Sequence, residues 1–231
     1  MCVEHYVCTG DLNLQIFENQ TLNLFDNISP RTDQTYDVGP WFLERFFSNK
    51  IYEGQYNAHT PANIDNLKLK NRVYTSTLKI KDQYLEVFEK KKGDLGIDEN
   101  TLGVQIRGTD KKEELPEIRC ESIFNLIDSV DKEKIFVATD DQYYLDQLLN
   151  RYGDRVIYDD TLHISSGSKS IHHNCSDRAR INEEVLSSVY LLSECPYFLY
   201  SFSNVSLLAL IMGVHNFKSI DYFDKRNNRH R

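Results

Sequence analysis

The chain has no run of about 18 consecutive apolar residues, the length a helix needs to span a bilayer. Its first residues, Met1-Cys2-Val3-Glu4-His5-Tyr6, lack the basic-then-apolar layout of a secretory leader. A soluble, cytoplasmic protein is the expectation. Basic residues are also short: 27 Lys and Arg stand against 35 Asp and Glu, for a formal charge of -8. That balance argues against a general nucleic-acid binder, which needs a cationic surplus to displace counterions. The five cysteines, Cys2, Cys8, Cys120, Cys175 and Cys195, are odd in number and scattered, with no Cys-x-x-Cys and no Cys/His ligand spacing. Neither a disulfide framework nor a structural zinc is indicated. His172 and His173 are adjacent, whereas two ligands on one helix face need a spacing of three or four. No Asp-x-Asp pair of the kind that holds a nucleotide diphosphate through a metal occurs, and no glycine loop ending in Gly-Lys-Ser/Thr, which speaks against a P-loop nucleotidase.

What is present is ordinary globular material. The 231 residues are 40% hydrophobic, 12% aromatic and 27% charged, enough for one large domain or two small ones. Residues 1 to about 75 read as irregular and polar, with Trp41-Phe42-Leu43-Glu44-Arg45-Phe46-Phe47 able to dock one helical turn. The spacing of Leu78, Ile80, Tyr84, Leu85, Val87 and Phe88 predicts a helix over 77–91, with Gly93 as its stop. A turn-rich link follows, so the chain divides into a reduced N-terminal portion, 1–98, and a second domain, 99–231.

From Leu102 the pattern alternates strand and helix. Val104 and Ile106 alternate with polar neighbours, and Gly108 and Thr109 end the strand. Helices are expected over 117–129, after Asp141, over 182–194 and from Ser203 to Met212. Strands are expected at Ile135–Ala138, Arg155–Tyr158, Tyr197–Ser201 and near Phe217–Ile220, with a long loop over 159–181. This is the pattern of a doubly wound parallel α/β domain.

Three strand ends then point to one sheet edge: Arg107 to Lys111, Thr139 to Asp141, and Ser201 to Asn204. Ligands bind at that edge in open α/β sheets. A guanidinium fork matches phosphate oxygens and stays charged when partly buried. The Ser201-Phe202-Ser203-Asn204 junction places a helix N-terminus there, with roughly half a positive charge from its dipole. Arg107 facing the Ser203 end of that helix forms a diphosphate clamp. For Asp140 and Asp141, capping and loop bracing stand beside ligand contact as open alternatives.

The stretch Leu102-Gly103-Val104-Gln105-Ile106-Arg107-Gly108-Thr109-Asp110-Lys111 resembles the His-x-Arg-x-x-Asp-Lys motif of the α1,6-fucosyltransferase and nodulation fucosyltransferase family, itself related to the protein O-fucosyltransferases. Residues 135–141 resemble that family's second block, and Leu191–Cys195 through Ser201–Ser206 its third. Ser170-Ile171-His172 resembles an Ala-Ile-His element of bacterial members. The resemblance spans roughly residues 100 to 215 in order. It implies a GT-B fold with a C-terminal Rossmann-like domain, and an inverting, metal-independent transfer of fucose from GDP-fucose to a glycan acceptor. No cofactor beyond the donor is implied. By the same resemblance Arg107 grips the β-phosphate and Lys111 assists by charge. Either Glu113 or Glu114 takes the acceptor proton, one position short of the mammalian spacing. Gln105, Asp110, Asp140, Asp141, His172, Ser201, Ser203 and Asn204 complete the donor site. The chain departs from the family at Gln105, where the family has His, at Gly108, where it has a second Arg, and at Ser188, where it has the Asp that reads guanine. A non-catalytic nucleotide-sugar-binding module of the same fold is the alternative.

Overall fold

All six residues of β1 (Thr101–Ile106) are buried, as the middle strand of a sheet covered on both faces requires. A computed structural model, which describes residues 64–109, 118–165, 178–201 and 203–223, places it at the centre of five strands. The others are β2 (Lys134–Thr139), β3 (Val156–Ile157), β4 (Tyr197–Tyr200) and β5 (Ser219–Tyr222), in the order β3-β2-β1-β4-β5. Every pairing is parallel. The chain builds outward from β1 to β3, then returns to lay β4 on the other side of β1. The order therefore reverses between β1 and β4, the position where open α/β sheets leave a crevice at their carboxyl ends.

The helices are α1 (Ile64–Thr77), α2 (Asp82–Leu95), α3 (Cys120–Val130), α4 (Gln142–Tyr152), α5 (Arg178–Ser193) and α6 (Asn204–Met212), with a 3-10 turn at Gly153–Arg155. Side-chain alternation along each strand assigns them to two faces. Leu102, Val104, Ile106, Ile135, Val137 and Leu199 share one core with Ile123 and Ile127 of α3 and with Tyr144, Leu145 and Leu148 of α4. Phe136, Ala138, Phe198 and Tyr200 face the opposite core, with Leu186, Val189 and Leu192 of α5 and Leu207, Leu210 and Ile211 of α6. Leu67 of α1, Phe88 of α2 and Ile97 belong to that second core, so packing runs without a break from residue 64 into the sheet. Asn71 adds a buried tie, donating from Nδ2 to the Ile211 carbonyl at 2.9 Å.

The alternation expected from Leu102 onward is present throughout, as the α/β class demands. The differences lie at element ends and in one further helix. Helix α1 occupies part of the stretch expected to be irregular; among its described side chains Leu67 and Asn71 are buried and Tyr74 packs against the core, while Leu69 and Val73 are exposed, so its inner face is only partly apolar. Helix α2 begins at Asp82 rather than 77 and runs through Gly93 to Leu95. The stop is Gly96, in the left-handed region at φ 66°, where a side chain would be strained. Helix α5 starts at Arg178, inside the stretch expected to be loop. Among the described residues no helix is long and apolar enough to cross a membrane.

Candidate functional site

Strands β1, β2 and β4 are neighbours running in one direction, so their carboxyl ends deliver three short segments to one edge. Gln105 is the last β1 residue paired with β4, opposite Tyr200. Beyond it the two chains stay tied. Ser201 N–H donates to the Gln105 carbonyl at 2.9 Å. The Arg107 N–H donates to Ser201 Oγ at 2.8 Å, and that hydroxyl donates to Gln105 Oε1 at 3.1 Å. Ser201 is fully buried and Gln105 nearly so; together they fix where Arg107 leaves the sheet.

The guanidinium of Arg107 turns toward β2. Its Nη1 lies 3.2 Å from Asp140 Oδ2, with both side chains largely covered. Asp140 also accepts from the Gly108 N–H at 2.7 Å and from the Thr109 hydroxyl at 2.7 Å. Gly108 passes so close to the cap of α4 that a Cβ there would sit 2.5 Å from Asp141 Cβ. A second arginine at 108, as the resembled family carries, does not fit without a shift of this corner. Asp141 is buried and caps α4, its Oδ1 accepting from the Tyr143 N–H at 3.0 Å.

On the β4 side the site is built from neutral groups. Ser203 caps α6 in a reciprocal box with Ser206: Ser206 N–H donates to Ser203 Oγ at 3.0 Å, and Ser203 N–H to Ser206 Oγ at 3.0 Å. Ser206 Oγ in turn donates to the Ser201 carbonyl at 2.7 Å. The box takes the amides of Ser203 and Ser206; those of Asn204 and Val205 lie outside it, at the positive end of the helix dipole. Arg107 and this helix end leave adjacent strands at the same edge of the sheet. Asp110, Lys111, Glu113, Glu114 and His172 lie outside the described residues. No cluster of three or more His, Cys, Asp or Glu side chains suited to a metal ion is found among the described residues.

No protein-family model matches the chain, and no curated protein matches it. Several solved structures are similar to part of it. The fucosyltransferase NodZ from Bradyrhizobium is 17% identical with a TM-score of 0.45, the match covering 68% of this chain and 49% of NodZ. POFUT1 in complex with GDP-fucose is 10% identical with a TM-score of 0.44, covering 71% of this chain and 51% of POFUT1. A single-residue mutant of Arabidopsis thaliana FUT1 in complex with GDP is 15% identical with a TM-score of 0.44, covering 64% of this chain and 37% of FUT1. The match therefore takes in about half of those chains or less.

Three features of this region are not legible in the sequence. Thr109 is fully buried and holds Asp140, a contact across 31 positions that no local pattern marks. Ser165 is joined to the end of β2: its N–H donates to the Asp140 carbonyl and its carbonyl accepts from the Gln142 N–H, both at 3.0 Å. The loop after β3 also brings His163 onto Glu184 of α5, with Nδ1 at 2.8 Å from Oε1, while Arg180 Nε donates to the same oxygen at 2.9 Å. A cleft of about 290 Å³ beside that cluster is lined by Phe88, Lys91, Thr161, Arg180, Glu183, Glu184 and Ser187. Charge-paired clusters of this kind have no fixed spacing and leave no motif.

Proposed function

We propose that the chain is the donor-binding part of a glycosyltransferase that moves fucose from GDP-fucose to a glycan acceptor, with inversion and without a metal. The observation that carries the reading is the junction of β1 and β4. Arg107, anchored through its own N–H to Ser201, and the Ser203-capped end of α6 stand at the strand-order reversal. The three blocks at those strand ends, which resemble the fucosyltransferase motifs in order, add the donor's identity.

In this scheme the acceptor oxygen attacks the anomeric carbon as the bond to the β-phosphate oxygen breaks, and GDP leaves with the electron pair. Charge gathers on the leaving diphosphate, so the guanidinium and the helix end are worth most in the transition state. Glu113 or Glu114 takes the acceptor proton and Lys111 assists by charge. Calorimetry with GDP, followed by incubation with GDP-fucose and a panel of glycans in the presence of a chelator, tests the whole reading. GDP binding with chelator-resistant transfer supports it; failure to bind GDP sinks it, and activity that returns only with added manganese removes the metal-free part. The alternative, a binder without turnover, is favoured by Gln105, whose side chain is buried and engaged with Ser201. It predicts GDP binding with no transfer.

A further inference from the structure

The Arg107 corner contains a paradox for an anion site, because an anion is already built into it. Both oxygens of Asp140 are engaged: Oδ1 by the Gly108 N–H at 2.7 Å, Oδ2 by the Thr109 hydroxyl at 2.7 Å and by the Arg107 guanidinium at 3.2 Å. The carboxylate is itself fixed in place. The Asp140 carbonyl accepts from Ser165, and the next residue caps α4. A negative group beside a cation that must hold a diphosphate acts in two opposed ways. Through space it lowers the local potential and weakens anion binding. Through its hydrogen bonds it sets the direction of the guanidinium and the course of residues 107–109 before any ligand arrives.

We infer that the second effect prevails and that Asp140 is a positioning residue for the donor's diphosphate, acting through Arg107 rather than by touching the nucleotide. Three donors converging from one tripeptide on a single carboxylate are the mark of a brace. A diphosphate then meets a guanidinium whose orientation is set in advance, and the ordering cost falls on folding instead of on binding. The inference rests on the proposed role of Arg107 as the diphosphate's partner.

The two effects predict opposite signs, which makes the test sharp. Calorimetry with GDP is carried out on the full chain and on Asp140→Asn, Asp140→Ala and Thr109→Val, with thermal melting to confirm that each is folded. Positioning predicts that both Asp140 variants bind GDP about 10- to 100-fold more weakly, the size of loss that follows removal of a residue orienting a metal ligand. Thr109→Val should move the same way by less, and it carries the test if the Asp140 variants fail to fold. Unchanged or tighter GDP binding in the variants overturns the inference, since a carboxylate acting by charge alone would suppress binding. A ligand-free measurement separates this inference from the reading beneath it. In a chain labelled with nitrogen-15 arginine, the Arg107 side-chain resonance should report hindered guanidinium rotation that is lost in Asp140→Asn. If the parent chain binds no GDP, the diphosphate reading falls while that resonance still decides whether the brace exists. An unchanged resonance removes the brace itself.

Discussion

The two corners of the carboxyl edge are built on different principles. At the β1–β2 corner, charge meets charge: Arg107 and Asp140 pair, and backbone and hydroxyl donors complete the carboxylate's shell. At the β4 corner there is no formal charge in the capping box, only Ser201, Ser203 and Ser206 arranged around a helix end. The pair at the first corner is formally neutral, so its value lies in geometry, whereas the second presents the positive end of a helix dipole. Arg107→Ala breaks the comparison most severely. A charge-assisted hydrogen bond is worth roughly 1.5–3 kcal/mol, so GDP affinity should fall by about 10- to 100-fold and transfer should be lost. Thermal melting should move little, because the remaining donors to Asp140 survive. Retained transfer in a calibrated assay would remove Arg107 from its central place.

Gly108→Ala strains the same corner from within. The new Cβ would lie 2.5 Å from Asp141 Cβ and 2.9 Å from Tyr144 Cε2, and overpacking of this kind costs about 1–3 kcal/mol. A lowered melting temperature together with weaker GDP binding is the expected outcome; a variant as stable as the parent would show that the corner yields freely. The β4 corner is sharpened by a pair of substitutions. Ser203→Ala removes the cap, at about 1 kcal/mol of stability, and should weaken GDP binding a few-fold. Ser203→Asp restores the cap, since Asp is a favoured N-cap, yet it sets a negative charge at the proposed diphosphate site. Stability should return while GDP affinity drops by roughly a further tenfold. If stability and affinity instead rise and fall together, the helix end is structural and takes no part in binding.

How much of this could be read beforehand depends on the range of the contacts. The strands were legible because a parallel sheet buried on both faces makes runs such as Ile135–Ala138 apolar at every position. Asp141, Gly153 and Ser203 mark helix ends by local chemistry, and each sits where that chemistry places it. Arg107 and Ser203 reach the same sheet edge because strand order, not spacing, makes β1 and β4 neighbours; the α/β pattern implies such an edge without naming the residues that share it. Helix α1 leaves little trace in the pattern because its inward face sets Asn71 between Leu67 and Tyr74 and exposes Leu69 and Val73. Gly96 outranks Gly93 as a stop for a conformational reason that only the backbone reveals. The contacts to Asp140 come from a hydroxyl and a backbone N–H 31 and 32 residues away, and an aspartate at a strand end serves equally well as a cap.

The mildest test concerns a carboxylate outside both corners. Asp159 is buried at the start of the loop after β3 and pairs with Lys91 of α2. Burial pushes its carboxyl upward, but the Lys91 ammonium and the Thr161 hydroxyl and N–H outweigh that and hold it below its ordinary 3.8. In the window below 3.8 the unfolded chain therefore takes up a proton at this residue that the folded chain refuses. The stabilisation is complete above that window, declines as pH falls through it, and is gone below the folded value. One full proton of difference corresponds to about 1.4 kcal/mol per pH unit. Asp98, held low chiefly by Lys134, and Asp128, held low chiefly by Arg151, act in the same direction. Asp159→Asn should thus lower stability at neutral pH but flatten only part of the acid limb in a series of denaturant titrations from pH 5 to pH 2. Because α2 reaches this loop and the loop reaches Asp140 through Ser165, GDP affinity provides the comparison with the two corners. A loss of affinity matching that of Asp140→Asn would make the loop part of the brace, and an unaltered affinity would confine Asp159 to stability alone.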